Sequence, residues 1–192
     1  MKKLVVLKFG GTSVGSLPRI QKAAMIVKRY LDDGYQVISV VSAMGGYTDE
    51  LKNMAYEINK APPKRELDML LTTGERISCA LLGIALDELN IKALSLTGSQ
   101  SGIITDETHG NARIKQVKGE RIISALKDHD VVIVAGFQGV SESSKDITSL
   151  GRGGSDLTAV ALAAKFKADL CHIYTDVDGV MTADPRLIEQ AE

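Results

Sequence analysis

The sequence predicts an α/β chain built on a mainly parallel sheet, and three observations predict it. Short continuous aliphatic runs at residues 4–7, 36–42 and 131–137 end in glycine or polar turns, as strands buried on both faces do. Apolar residues recur at helical spacing in the segments between such runs. The opening order of strand, helix and strand makes a right-handed parallel unit.

Each element has its own justification. Leu4-Val5-Val6-Leu7 runs through Lys8-Phe9 into Gly10-Gly11-Thr12-Ser13-Val14-Gly15, a strand delivering a cation to a glycine turn. Ser16 can cap the next helix and Pro18 suits its first turn. Ile20, Ala23, Ala24, Val27 and Leu31 form that helix's apolar face, and Gly34 ends it. Residues 36–42 are the second strand. Ser42-Ala43-Met44-Gly45-Gly46 turns at its end, and Thr48 can cap a helix carrying Leu51, Met54, Ala55 and Ile58. Ala61-Pro62-Pro63-Lys64 breaks that helix. Residues 66–89 read as helix with an interruption at Thr72-Thr73-Gly74, directly before Glu75 and Arg76. Residues 91–96 are a third strand, Ile103-Ile104 a short one, 119–128 a helix and 131–137 a central strand. Residues 138–149 are polar and read as a long functional loop. Gly151-Arg152-Gly153-Gly154-Ser155-Asp156 then opens an alanine-rich helix, whose start suits an anion. Residues 170–175 are the last strand.

Composition bounds the function. The chain has 192 residues, is 44% hydrophobic and 24% charged, and carries a net charge of −1. That length suits one domain, and the charge gives no field for nucleic acid or anionic lipid. Aromatics make up 4% with no Trp, which argues against base-stacking platforms. Cys79 and Cys171 have apolar neighbours and read as buried free thiols of a reducing, cytoplasmic compartment. No run reaches membrane-spanning length by this reading. His109, His129 and His172 lack metal-ligand spacing, so no resident metal site is expected; loops or element ends suit them.

The site candidates are three glycine-rich turns that follow strands. The first carries Lys8, the second is flanked by Ser42 and Thr48, and the third carries Arg152 beside a helix N-terminus. Gly10 and Gly15 have Walker spacing without the following Lys-[Ser/Thr], and no G-x-G-x-x-G is present. Phosphoryl transfer needs charge neutralisation and alignment more than a covalent nucleophile, so the lack of a hydrolase triad is no objection. Structural roles compete with each assignment. Lys8 would then be merely solvated, Asp156 would cap its helix, and Glu75 would be a solvated helix residue. A functional Glu75 would point into a cleft and receive a substrate ammonium.

Lys8-Phe9-Gly10-Gly11-Thr12-Ser13-Val14, Gly136-Phe137-Gln138-Gly139, Gly151 to Ala159, and Tyr174 through Asp176-Val177-Asp178-Gly179 to Arg186 together resemble the aspartokinases of the amino acid kinase family. Thr72-Thr73-Gly74-Glu75-Arg76 and Ser42-Ala43-Met44 match as well. The resemblance covers the whole chain in order. It implies a three-layer αβα sandwich with a mainly parallel central sheet, aspartate in the N-terminal lobe and ATP towards the C-terminal edge. It implies phosphorylation of L-aspartate by MgATP to 4-phospho-L-aspartate, the first step towards lysine, threonine and methionine, in a homo-oligomeric full-length protein. By the family pattern, Lys8 and Asp156 are catalytic. Ser42, Thr48, Glu75, Arg152, Gly153, Gly154 and Ser155 hold aspartate. Lys8, Phe9, Gly10, Gly11, Thr175, Asp176, Met181 and Arg186 lie on the ATP side, Met181 standing where the family often has tyrosine. Relatives continue into the rest of the nucleotide lobe and regulatory ACT domains, so residues 1–192 read as the aspartate lobe plus the start of the ATP lobe, inactive alone. The alternatives are a non-catalytic aspartate-binding fragment, a kinase of another amino acid, or a dinucleotide-binding domain lacking its fingerprint.

Overall fold

The computed structural model describes residues 3–175. The first aliphatic run extends to strand β1, Lys3–Phe9, followed by helix α1, Leu17–Asp32, and strand β2, Tyr35–Val41. Three helices come next: α2, Tyr47–Ile58; α3, Lys64–Leu71; and α4, Thr73–Asp87. Then follow β3, Ala93–Leu96; β4, Ile103–Thr105; β5, Ile114–Val117; α5, Glu120–Asp128; and β6, Val131–Ala135. The series closes with β7, Gln138–Ser141; β8, Ile147–Ser149; α6, Gly154–Phe166; and β9, Leu170–Tyr174.

β3, β6, β2, β1 and β9 line up in that order as an all-parallel sheet. Successive side chains leave a strand on opposite faces, so each strand feeds two cores. Val5, Leu7 and Phe9 join Val27 of α1 and Leu82 and Leu86 of α4 on one side. Val6, Ile38, Val40 and Val134 meet Ile122 of α5 and Ala159 and Leu162 of α6 on the other. This is the expected three-layer αβα sandwich. The same alternation turns Lys8 away from the α1–α4 layer, towards α6.

Residues 138–149 are not a loop. They form the β7–β8 hairpin of a second, mixed sheet of order β5-β4-β7-β8. The polar side chains of β7 and β8 are buried yet satisfied, Thr148 Oγ1 lying 2.7 Å from Thr105 Oγ1 of β4 and Ser149 donating to Asp68 of α3. Polar composition reads as solvent exposure unless a second sheet supplies the partners.

Several smaller expectations also change. Ser16 occupies the N-cap of α1, but its hydroxyl makes no capping bond, and α2 begins behind Gly46 at φ 82°, which leaves Thr48 inside the first turn. Cys79 is buried, its thiol pushed up to about 12 by desolvation, whereas Cys171 is exposed. β9 is the edge strand of the described sheet, so half of its apolar pattern stays open to solvent. His172 lies within β9 rather than in a loop, against Tyr30 Oη. The stretch Lys64–Asp87 is long and apolar enough to cross a membrane by length and composition; it is broken at Thr72 into α3 and α4 and carries buried Asp68 and Glu75.

Candidate active site

The C-terminal ends of β1, β2 and β6 point the same way, and the turns after β1 and β2 meet the turn after β8 at one cleft of about 380 Å³. Ligands of open parallel sheets bind at this edge. Two turns meet backbone to backbone: the Gly45 N–H donates to the Gly11 carbonyl at 3.0 Å. A Cβ on Gly11 would sit 3.1 Å from the Ala43 carbonyl oxygen, a tight contact that glycine avoids. The third turn passes through Gly151 and Gly153, both at positive φ, and opens α6 with no side-chain cap. The Gly154 N–H donates to the Gly151 carbonyl at 3.1 Å, so the helix-start donors able to take an anion are those of Ser155 and Asp156, both of which line the cleft.

Lys8 and Asp156 meet across this cleft, Nζ to Oδ1 at 2.7 Å. Lys8 is 7% exposed, whereas the Asp156 side chain is 45% exposed. Asp156 therefore pairs with lysine instead of capping its helix. A lysine enclosed this far inside the sheet needs a countercharge, and Asp156 supplies one while leaving the ammonium at the rim of the cleft. Gly10 borders the same ammonium, since a Cβ there would lie 3.3 Å from Lys8 Nζ.

Glu75 sits in the first turn of α4, 3% exposed. Its Oε1 accepts from the Ala43 N–H at 3.1 Å, while Oε2 is buried with no partner. Desolvation raises its carboxyl to about 7, against the smaller opposing pull of its own backbone amide, the Ala43 amide and the Arg76 charge. Such a group is set to receive a cationic ligand. Gly74 lets α4 approach: a Cβ there would fall 2.7 Å from Ala43 Cβ.

Among the sequence candidates, Lys8, Gly11, Ser42, Thr48, Glu75, Arg152, Gly153, Gly154, Ser155 and Asp156 all line this cleft. The Phe9 side chain lies on the opposite face, stacked on Tyr174 with centroids 5.1 Å apart. With Thr175, Arg19 and Lys22 it borders a separate cavity of about 340 Å³. Gly10 joins the two regions, donating its N–H to the Tyr174 carbonyl at 3.0 Å. Asp176, Met181 and Arg186 lie outside the described residues. Sequence reasoning gave no role to Ala43, Asp49 or Phe137, which also line the cleft. Phe137 holds φ 66°, an uncommon conformation for a bulky residue. Its place in Gly136-Phe137-Gln138-Gly139, a glycine-flanked turn after the central strand, was the available signal.

This geometry collects one ammonium, one guanidinium, a helix N-terminus and a buried carboxylate, which suits an acidic molecule bearing an amino group. The sequence model of the amino acid kinase family matches residues 3–192. The chain belongs to the amino acid kinase family. This kinase-family chain is 55% identical over 188 residues to the aspartokinase of Mycolicibacterium smegmatis, covering 98% of itself and 45% of that protein. Against the aspartokinase of Geobacillus stearothermophilus the identity is 57% over 188 residues, with 98% and 46% covered. It thus spans about half the length of the curated relatives it matches. Among solved structures, aspartate kinase from Synechocystis superposes with a TM-score of 0.80 at 51% identity, over 98% of this chain and 31% of that one. E. coli aspartokinase III, in complex with aspartate and ADP, gives 0.82 at 26% identity, over 99% and 53%.

Proposed function

We propose that residues 1–192 form the acceptor lobe and the beginning of the nucleotide lobe of an aspartate kinase, which phosphorylates the side-chain carboxylate of L-aspartate. The observation that carries this reading is the 2.7 Å Lys8–Asp156 pair at the head of the cleft lined by Glu75 and Arg152. Arg152 pairs a carboxylate of aspartate through its planar fork, and Glu75 receives the ammonium. Ser42, Thr48 and Ser155 offer hydroxyls, and the first N–H groups of α6 add partial positive charge. Lys8 neutralises charge developing on the transferring phosphoryl group, and Asp156 keeps its ammonium in place. The residues present fit such a donor: one enclosed ammonium faces glycine turns whose backbones can approach phosphate closely. MgATP supplies the γ-phosphoryl group, with Mg²⁺ carried in on phosphate oxygens. Thr175, Asp176, Met181 and Arg186 belong to the nucleotide side in this reading. We propose further that the full-length protein is a cytoplasmic, homo-oligomeric enzyme opening lysine, threonine and methionine biosynthesis.

Calorimetric titration of the chain with L-aspartate, L-glutamate and MgATP tests the proposal. Aspartate binding that Arg152→Ala weakens at least tenfold is expected. Binding of glutamate in preference to aspartate would move the assignment to another amino acid, and aspartate binding without nucleotide binding in full-length protein would leave only a sensor.

A further inference from the structure

We infer that Gln138 and Asp68 are positioning residues that fix the span of the acceptor cleft and so the length of dicarboxylate it takes. The inference rests on the aspartate reading above and deepens it. The two groups proposed to grip the acceptor come from different parts of the chain. Glu75 belongs to the first turn of α4, and Arg152 to the turn after β8. Helix α3 lies between them: it ends one residue before α4 begins, and its side chain Asp68 reaches β8.

Two buried polar contacts clamp α3 in place. At its C-terminal end, Gln138 is 1% exposed and its Nε2 donates to the Thr72 carbonyl at 2.9 Å, at the junction with α4. Along its length, Asp68 is 1% exposed, and its Oδ1 accepts from Ser149 Oγ at 2.5 Å. Asp68 Oδ2 pairs with His109 Nδ1 at 2.7 Å, and the Gly110 N–H reaches both oxygens at 3.2 Å. Ser149 stands two residues before Gly151, and Asn111 Oδ1 lies 2.7 Å from where a Cβ on Gly151 would sit. The Asp68 cluster therefore ties α3 to the base of the Arg152 turn, while Gln138 ties the α3–α4 junction to the corner after β6.

Neither side chain lines the cleft, so both act through the residues they hold. Apolar packing alone tolerates small sliding, whereas a buried amide or carboxylate loses its partners when the elements shift. Aspartate and glutamate differ by one methylene, a difference that an apolar pocket resolves only about 10–200-fold. A fixed separation between an ammonium site and a carboxylate site is what discriminates such a pair.

The test uses Gln138→Met, which keeps length and removes the donor, and Asp68→Asn, which keeps shape and removes charge. Cooperative thermal unfolding qualifies each variant, and either suffices. Calorimetry should show the aspartate-to-glutamate affinity ratio falling at least fivefold, through weaker aspartate binding. An unchanged ratio, or equal weakening of both acids, overturns the inference. Hydrogen exchange supplies a readout free of ligand. The Ala43 amide is held by Glu75 and touches neither substituted residue; its exchange should quicken at least tenfold in Gln138→Met, and unchanged exchange there overturns the clamp. If the unsubstituted chain binds neither acid, the aspartate reading fails while the exchange measurement still decides the clamp.

Discussion

Glu75 couples the cleft to pH. In the folded chain it keeps its proton up to about pH 7, against an ordinary 4.5. Between those values the folded state holds more protons than the unfolded one, so stability falls as pH rises through the window and levels off above it. The full swing is on the order of 3 kcal/mol. Urea midpoints at pH 5 and pH 7.5 should therefore differ less in Glu75→Gln than in wild type. Aspartate binding has the opposite slope, because an ammonium favours the ionised carboxylate. Affinity should rise from pH 6 to pH 8 in wild type and stay flat in Glu75→Gln, by calorimetry. In the proposed function Lys8 acts on rate instead. In an active full-length enzyme with this N-terminal sequence, Lys8→Ala should lower kcat by about 10²–10³ with a smaller change in the KM for aspartate. The residue scale was the most legible one in the sequence, since Lys8 before two glycines and Glu75 after a helix break declare themselves by neighbours. The Ala43 role was hidden because it resides in a backbone N–H, to which any residue except proline would contribute equally.

The α3–α4 junction shows how an element can be read without its reason. Thr72-Thr73-Gly74 marks the interruption, yet only the fold shows why Gly74 is required. Alanine there would gain about 1 kcal/mol of helix propensity but force a Cβ to 2.7 Å from that of Ala43. Overpacking of this kind costs about 1–3 kcal/mol, so Gly74→Ala should unfold at lower urea and bind aspartate more weakly as α4 backs away. β7 and β8 were illegible for the converse reason. Gln138, Ser141, Thr148 and Ser149 are buried polar residues whose partners lie on α3, the hairpin turn and β4. Apart from Ser144 beside Ser141, these partners lie more than forty residues away, and no local pattern announces them. Cys171 and Ile173 misled in the other direction: both are exposed in β9, the last strand at one edge of the sheet among the described residues, which an apolar pattern does not reveal.

The whole molecule is organised by one sheet with two oily faces. Leu82 is fully buried in the α1–α4 layer. Leu82→Ala should cost about 2–5 kcal/mol, read as a lower urea midpoint at unchanged m-value. Because Leu82 lies about two helical turns beyond Glu75 and does not line the cleft, aspartate affinity in the folded fraction of that variant should stay within about threefold of wild type. The β1–α1–β2 unit follows from a short connection and handedness, whereas the full αβα sandwich was implied by the family resemblance, and β6 enters between β2 and β3 out of chain order. The second sheet obeys no such local rule, as β4 pairs in parallel with β7 across more than thirty intervening residues.

Lys8 and Phe9 are neighbours that leave β1 on opposite sides, one beside Asp156 and the other against Tyr174. Parity along this strand therefore encodes chemistry. Losing or gaining a single codon between the start of β1 and Lys8 would swing the ammonium beneath α1 and thrust a hydrocarbon into the glycine-lined cleft. Length drift in this region is survivable only in steps of two, so descendants of this gene should carry even-numbered gaps ahead of that lysine, or none.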